Sequence, residues 1–182
     1  LADVLFGDVA PSGKLPLTFP RSIEQLPPFE EYDMAGRTYR YMAEDPQFPF
    51  GFGLSYTSFA YEGIQAPAKI NAGEPLPVQV TVRNSGSVDA DEVVQLYISA
   101  VTPGAGDPLY TLVGFSRVQL AAGETQTVEF TLTGNELGTV DADGRLAVRP
   151  GAYRLTAGGS SPGSVSTALG APKPQVWEFS IG

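Results

Sequence analysis

From about Tyr56 onward, apolar residues alternate with polar ones in a series of short segments. Val78, Val80 and Val82 form one such set, and Val94, Leu96 and Ile98 the next. Then come Val113, Phe115 and Val118; Val128, Phe130 and Leu132; Tyr153, Leu155 and Ala157; and Trp177, Phe179 and Ile181. A period of two sends successive side chains to opposite faces of an extended chain, so these segments predict six or seven half-buried strands. Turn signals separate them at Asn84-Ser85-Gly86, Ala122-Gly123, Asp143-Gly144 and Pro150-Gly151. No 3.6-residue stripe competes with this pattern. The predicted architecture for 56–182 is therefore mainly β, with two antiparallel sheets packed as an immunoglobulin-like, fibronectin type III-like sandwich. The run from Gly158 to Ser164 reads as a short flexible loop.

The first 55 residues obey a different rule. Pro11, Pro16, Pro20, Pro27, Pro28, Pro46 and Pro49 forbid a long helix or a central strand. More than half of the aromatic residues nevertheless fall within the first 59 positions, whereas linkers and disordered tails are aromatic-poor. Regular structure is confined to Leu1 through Phe6, read as the last turns of a helix closed by Gly7, and to a short extended piece from Lys14 to Phe19. Such an arm cannot bury its own aromatic rings. It is expected to pack on a larger body, either the sandwich or other polypeptide.

Charge and composition narrow the chemistry. The 182 residues hold 20 acidic and 11 basic side chains, a net charge of −9, with no His and no Cys. A nucleic-acid partner or an anionic membrane surface is disfavoured, and no apolar run is long enough for a membrane-spanning helix. Thiolate and imidazole metal sites, His-activated nucleophiles and disulfides are excluded. No cofactor or metal is expected. Carboxylates remain as the acid/base groups, and paired carboxylates are what glycoside hydrolysis requires. Of Glu30/Glu31, Glu44/Asp45, Asp89/Asp91/Glu92 and Asp141/Asp143, only Asp89/Asp91 and Asp141/Asp143 have the spacing to share a face of an extended strand. All of these read more simply as solvated turn residues. Asp141-Ala-Asp143-Gly144 resembles the opening of a calcium loop but lacks the later ligands.

The Phe48-Pro-Phe-Gly-Phe-Gly-Leu-Ser-Tyr56 segment lacks the Lys and following helix of a phosphate loop. Gly51 and Gly53 instead allow a tight turn that inserts Phe48, Phe50, Phe52 and Tyr56 into a groove, although such rings could also stack on sugar. Arg37, Tyr39, Arg40 and Tyr41 interleave cations with rings, suiting a carboxylate clamp, cation–π contacts or simple anchoring of the arm. Tyr110 and Trp177 are candidate sugar platforms on sandwich loops.

Eight stretches in order carry a resemblance: Leu1 through Pro20, Gly36-Arg-Thr-Tyr-Arg-Tyr41, Phe48 through Phe59, Val80-Thr-Val-Arg-Asn-Ser-Gly86, Glu92-Val-Val-Gln-Leu-Tyr97, Leu112-Val-Gly-Phe115, Ala122-Gly-Glu-Thr125 and Pro150-Gly-Ala-Tyr153. Together they resemble the C-terminal portion of glycoside hydrolase family 3, the β-glucosidases and β-xylosidases. The resemblance implies that 1–20 closes an α/β sandwich domain, 21–55 is an interdomain connector and 56–182 is the fibronectin type III-like domain. It further implies a retaining mechanism whose Asp nucleophile and acid/base Glu lie upstream of Leu1, so no catalytic residue is assigned here. The chain is expected to act as a scaffold for those catalytic domains, as a fragment or one piece of a larger enzyme, inactive alone and periplasmic or extracellular. Arg37, Tyr39, Arg40, Phe48 and Phe50 are the expected interdomain or substrate-entrance contacts. An oligosaccharide contact and self-association are further expected partners, and a carbohydrate-binding module without hydrolase activity is the alternative. The connector wording around Tyr32 leans toward the β-xylosidase-like branch.

Overall fold

In the computed structural model, which describes residues 1–140 and 143–182, the alternating segments form a sandwich. One sheet has three strands in the order β1 (Phe59–Gln65), β3 (Leu76–Asn84) and β6 (Thr125–Leu132). The second has five, in the order β2 (Lys69–Ile70), β10 (Gln175–Ile181), β9 (Gly151–Gly158), β4 (Ala90–Ala100) and β5 (Thr111–Leu120). Neighbours pair antiparallel except the short β2, which runs parallel to β10. A two-stranded ribbon of β7 (Thr139–Val140) and β8 (Leu146–Ala147) follows the one-turn helix α3 (Gly134–Leu137). That turn is fixed by a capping box, in which Thr133 and Glu136 satisfy each other's backbone N–H groups.

β3 displays the sandwich logic most cleanly. Leu76, Val78, Val80 and Val82 are fully buried, and the intervening Pro77, Gln79 and Arg83 face out. They join Val94, Leu96, Leu120, Leu132, Leu155, Phe179 and Ile181 in a single core. Each such side chain contributes roughly 1.5–3 kcal/mol by leaving water.

β5 departs from the expected register. Placing both Phe115 and Val118 inward needs a break in alternation between them, but the break falls earlier. Leu96 pairs with Gly114 and Tyr97 with Leu112, leaving Val113 as a bulge. Gly114 then faces the core, where a Cβ would lie 2.9 Å from the Phe130 ring, and Phe115 turns outward, 68% exposed. Trp177 keeps its expected place in the last strand with Phe179 and Ile181 but not the alternative role of a sugar platform. It is half-buried against the core rather than displayed on a loop.

The arm begins with α1 (Ala2–Phe6), stopped by Gly7 at φ +85°, whose N–H returns to the carbonyls of Val4 and Asp3. Residues 14–19 and 47–52 then run alongside each other. Leu15 N–H donates to Phe52 O (2.9 Å), Gly51 N–H to Leu15 O (2.8 Å), and Phe19 N–H to Phe48 O (2.9 Å). Pro16 and Pro49 have no N–H to offer, so only the bridge Phe19–Phe48 is ladder-like. A 3₁₀ turn (Ile23–Gln25) and the one-turn helix α2 (Thr38–Tyr41) lie between. The run Gly158 to Ser164, expected to be a flexible loop, is instead packed beneath this arm over its first half, with Ser160 and Ser161 buried and Gly163 and Ser164 exposed. The last short helix, α4 (Ser164–Ala168), starts at its end.

If this register holds, Leu96→Ala lowers the unfolding free energy in urea by about 2–5 kcal/mol, while Phe115→Ala and Thr127→Ala each change it by less than about 0.5 kcal/mol. A large loss at Phe115 would place that ring in the core and refute the bulge.

Candidate interdomain interface

The five-stranded sheet has two covered faces. The even-numbered residues of β4 point inward with Val94 and Leu96, while Gln95 and Tyr97 point outward and are still buried, at 3% and 1% exposure. The arm covers them. Gln95 Nε2 donates to Gly51 O (3.0 Å) and Gly159 O (2.9 Å), and its Oε1 accepts from Tyr97 Oη. Gly51 sits at φ +75°, and a Cβ there would overlap Gln95 Oε1 at 2.0 Å, so only glycine permits this approach. Ser161 N–H donates to Phe50 O (2.9 Å), tying the buried loop to the same turn.

Above Tyr97 sits an aromatic stack. Tyr39 and Phe50 lie face to face at 4.3 Å, and Tyr39 meets Tyr97 edge-on at 6.0 Å. The Tyr39 hydroxyl accepts from Leu112 N–H (3.1 Å), and Leu109 N–H donates to Arg40 O (2.7 Å), so α2 is stitched to the start of β5.

A charged group closes the end of the sandwich. Glu92 is 2% exposed, on the core side of β4. Lys14 Nζ from the arm reaches its Oε2 at 3.1 Å, and the Tyr61 hydroxyl donates to its Oε1 at 3.0 Å. Burial, reinforced by the neighbouring Glu92 charge, pushes the Tyr61 hydroxyl well above its ordinary value, and burial with Tyr39 nearby does the same for Tyr97.

Of the five expected contact residues, the fold brings Tyr39, Arg40 and Phe50 together on the sandwich. Phe48 belongs to a neighbouring cluster, edge-on to Phe19 and parallel to Phe52, both at 6.3 Å. Phe52 is buried, whereas Tyr56 stays half exposed and donates to Val4 O (2.6 Å) rather than filling a groove. Arg37 stands apart. Its guanidinium collects the carbonyls of Pro28, Glu31 and Asp33, shaping the 28–37 loop. That loop presents Phe29 and Tyr32 at 86% and 87% exposure, and α1 likewise presents Leu5 and Phe6 at 72% and 84%.

Among the described residues the paired carboxylates do not assemble into a site. Glu30 and Glu31 are exposed, Glu44 accepts from Gln25 (3.2 Å), and Asp89 caps Ala122 N–H (2.8 Å). Asp91 lies in β4, paired with Arg117, rather than in a turn. Asp141 lies outside the described residues. Reading Glu92 as a solvated turn carboxylate is corrected outright, because Lys14 and Tyr61 enclose it. Lys14, Glu92, Gln95 and Tyr97 are the interface residues that sequence reasoning passed over. The available signal was polar residues inside the otherwise apolar run 93–98.

Two family models match this chain: the glycosyl hydrolase family 3 C-terminal domain over residues 1–56 and the fibronectin type III-like domain over residues 92–161. A xylan 1,4-β-xylosidase of Xylanibacter ruminicola is 43% identical over 88% of this chain and 18% of its own length. A periplasmic β-glucosidase of Salmonella typhimurium is 35% identical over 87% of this chain and 22% of its own. The solved structure of a β-glucosidase from Erythrobacter marinus superimposes with a TM-score of 0.81 at 40% identity, covering all of this chain and 23% of that one. The chain thus spans about a fifth of the length of these relatives.

The buried pair and the buried phenols set two expectations. Lys14→Met strands the Glu92 carboxylate and costs about 3 kcal/mol in denaturant unfolding, much of it recovered when Glu92→Gln is added; equal losses in the single and double variants would mean the charge pair is not the cause. Because the folded-state values of Tyr61 and Tyr97 lie above their unfolded ones, the stability they contribute is complete below about pH 10 and drains away above it. Tyr97→Phe flattens that alkaline loss in a pH series of urea melts.

Proposed function

The chain carries the C-terminal portion of glycoside hydrolase family 3, and on that premise we propose that it is the structural segment that seats and stabilises the catalytic body of a retaining, exo-acting β-glycosidase. The body removes terminal β-linked glucose or xylose from oligosaccharides, as the names of the relatives suggest. One observation carries this reading. An arm bonded to the sandwich through directional contacts leaves Leu1, Leu5, Phe6, Ile23, Phe29 and Tyr32 all more than 70% exposed. Exposed apolar groups on ordered backbone mark a contact surface. Among the described residues no helix is long and apolar enough to cross a membrane; the reading assigns the enzyme to the periplasm or outside the cell.

Within this reading the boundaries at residues 20 and 55 mark the end of the α/β domain and of the connector. Arg37, Tyr39, Arg40, Phe48 and Phe50 act indirectly. Tyr39, Arg40 and Phe50 fix the connector to the sandwich, Phe48 packs within the arm, and Arg37 shapes the loop that offers Phe29 and Tyr32 to the body or to the substrate entrance. The carbohydrate-binding alternative has less support, since the Tyr39 and Phe50 faces are already stacked on each other.

Supplied in trans to the barrel and α/β body of a family 3 β-xylosidase lacking its own C-terminal segment, the chain is expected to bind and to raise both the body's melting temperature and its hydrolysis of aryl β-xylosides. Phe6→Asp and Phe29→Asp should each weaken that association at least tenfold, and the chain alone should turn over no aryl glycoside. No association, or hydrolysis by the chain alone that survives purification, overturns the proposal.

A further inference from the structure

A cleft of about 700 Å³ opens between the ends of β4 and β9, the 101–109 loop and α3, with Arg40 and Tyr41 of the connector forming one wall. That volume falls within the range of small-molecule sites, roughly 300–1,000 Å³. Most of its charged groups already have partners. Arg149 is held by Asp107 (2.9 Å) and Thr139 Oγ1 (2.7 Å), Asp107 also accepts from Gly104 N–H (2.8 Å), and Glu136 closes the α3 capping box.

Arg40 is the exception. Its guanidinium makes one long contact, 3.5 Å to Thr111 Oγ1, its Nε is buried without an acceptor, and among the described residues no carboxylate pairs with it. It lies 5.5 Å from the centre of the Tyr41 ring. In a chain with 20 carboxylate side chains and 11 cations, an arginine that no described carboxylate pairs with can receive the carboxylate of a bound molecule. A guanidinium matches a carboxylate through two parallel N–H···O bonds.

We propose that this cleft binds a carboxylate-bearing sugar, a hexuronic acid, with Arg40 as the partner of its carboxylate. The remaining lining suits the rest of such a molecule. Ser99, Thr102 and Thr139 offer hydroxyl and backbone groups, and Tyr41 offers ring surface for the apolar face of a pyranose. Asp107 and Glu136 in the same wall disfavour a multiply charged anion such as a phosphate ester. This proposal rests on the cleft's own residues and stands or falls apart from the scaffold reading.

The test is a titration of the 182-residue chain with glucuronic acid, glucose and acetate, followed by the amide spectrum of cleft residues such as Thr111 and Gly151. Glucuronic acid is expected to bind in the millimolar range and at least tenfold more tightly than either glucose or acetate. Arg40→Gln should weaken it at least tenfold. Arg40→Lys, which keeps the charge and the aliphatic stem while losing the fork, should fall between, and serves as the readout if the Gln variant does not fold. Binding no tighter than that of glucose, binding no tighter than that of acetate, or an affinity untouched by the Arg40 variants each overturns the proposal.

Discussion

The arrangement depends on a carboxylate that the sandwich cannot satisfy by itself. Glu92 is buried at the end of the core, and the effective cost of burying an ion is several kcal/mol unless it is paired and hydrogen-bonded. The sandwich contributes the Tyr61 hydroxyl, but the cation comes from Lys14 in the arm. Removing the arm would leave the charge without its counter-ion, Gln95 without Gly51, and Ser161 without Phe50. Arm and sandwich are therefore energetically one unit, although their sequences follow different rules. A proline-rich segment that forms almost no regular structure is held by bonds to specific groups rather than by a ladder.

This explains how the arm can display apolar side chains without collapsing onto them. Its inward contacts are directional: amide to carbonyl, lysine to carboxylate, ring on ring. Its outward contacts are apolar and unpartnered, the kind that gain most from a large complementary surface. The left-handed Gly51 belongs to the inward set and makes the docking position narrow, since any side chain there would displace Gln95. A narrow docking position keeps Phe6 and Phe29 at fixed places relative to the sandwich, as a scaffold requires.

Legibility in the sequence followed the number of covered faces. β3 faces solvent on one side, so Val78, Val80 and Val82 alternate cleanly and predict their own burial. β4 is covered on both sides, and the one mark of it in the sequence is polar Gln95 and Tyr97 inside an apolar run, because the groups that cover them, such as Gly51 and Gly159, are 44 and 64 positions away. Glu92 was misread for the same reason: its cation is 78 positions away. Phe115 was misplaced by a bulge at Val113 whose cause, Phe130 packed over Gly114, is also nonlocal. The helix stop at Gly7 was legible because a glycine at C′ acts within its own turn.

The same contrast separates the five expected contact residues. Tyr39, Phe48 and Phe50 are engaged within this chain through their rings and Arg40 through its backbone carbonyl, and these contacts position the connector. Arg37 spends its donors on three backbone carbonyls of one loop, an investment in shape rather than in a partner's charge. The groups left free to meet a second body are the ones this bonding holds up: Phe29 and Tyr32 at the tip of the Arg37 loop, and Leu5 and Phe6 on α1. An aromatic-rich connector in which the inner rings are locked and the outer ones bare is what a joint between two rigid bodies requires. The locked rings set the angle at which the bare ones are offered.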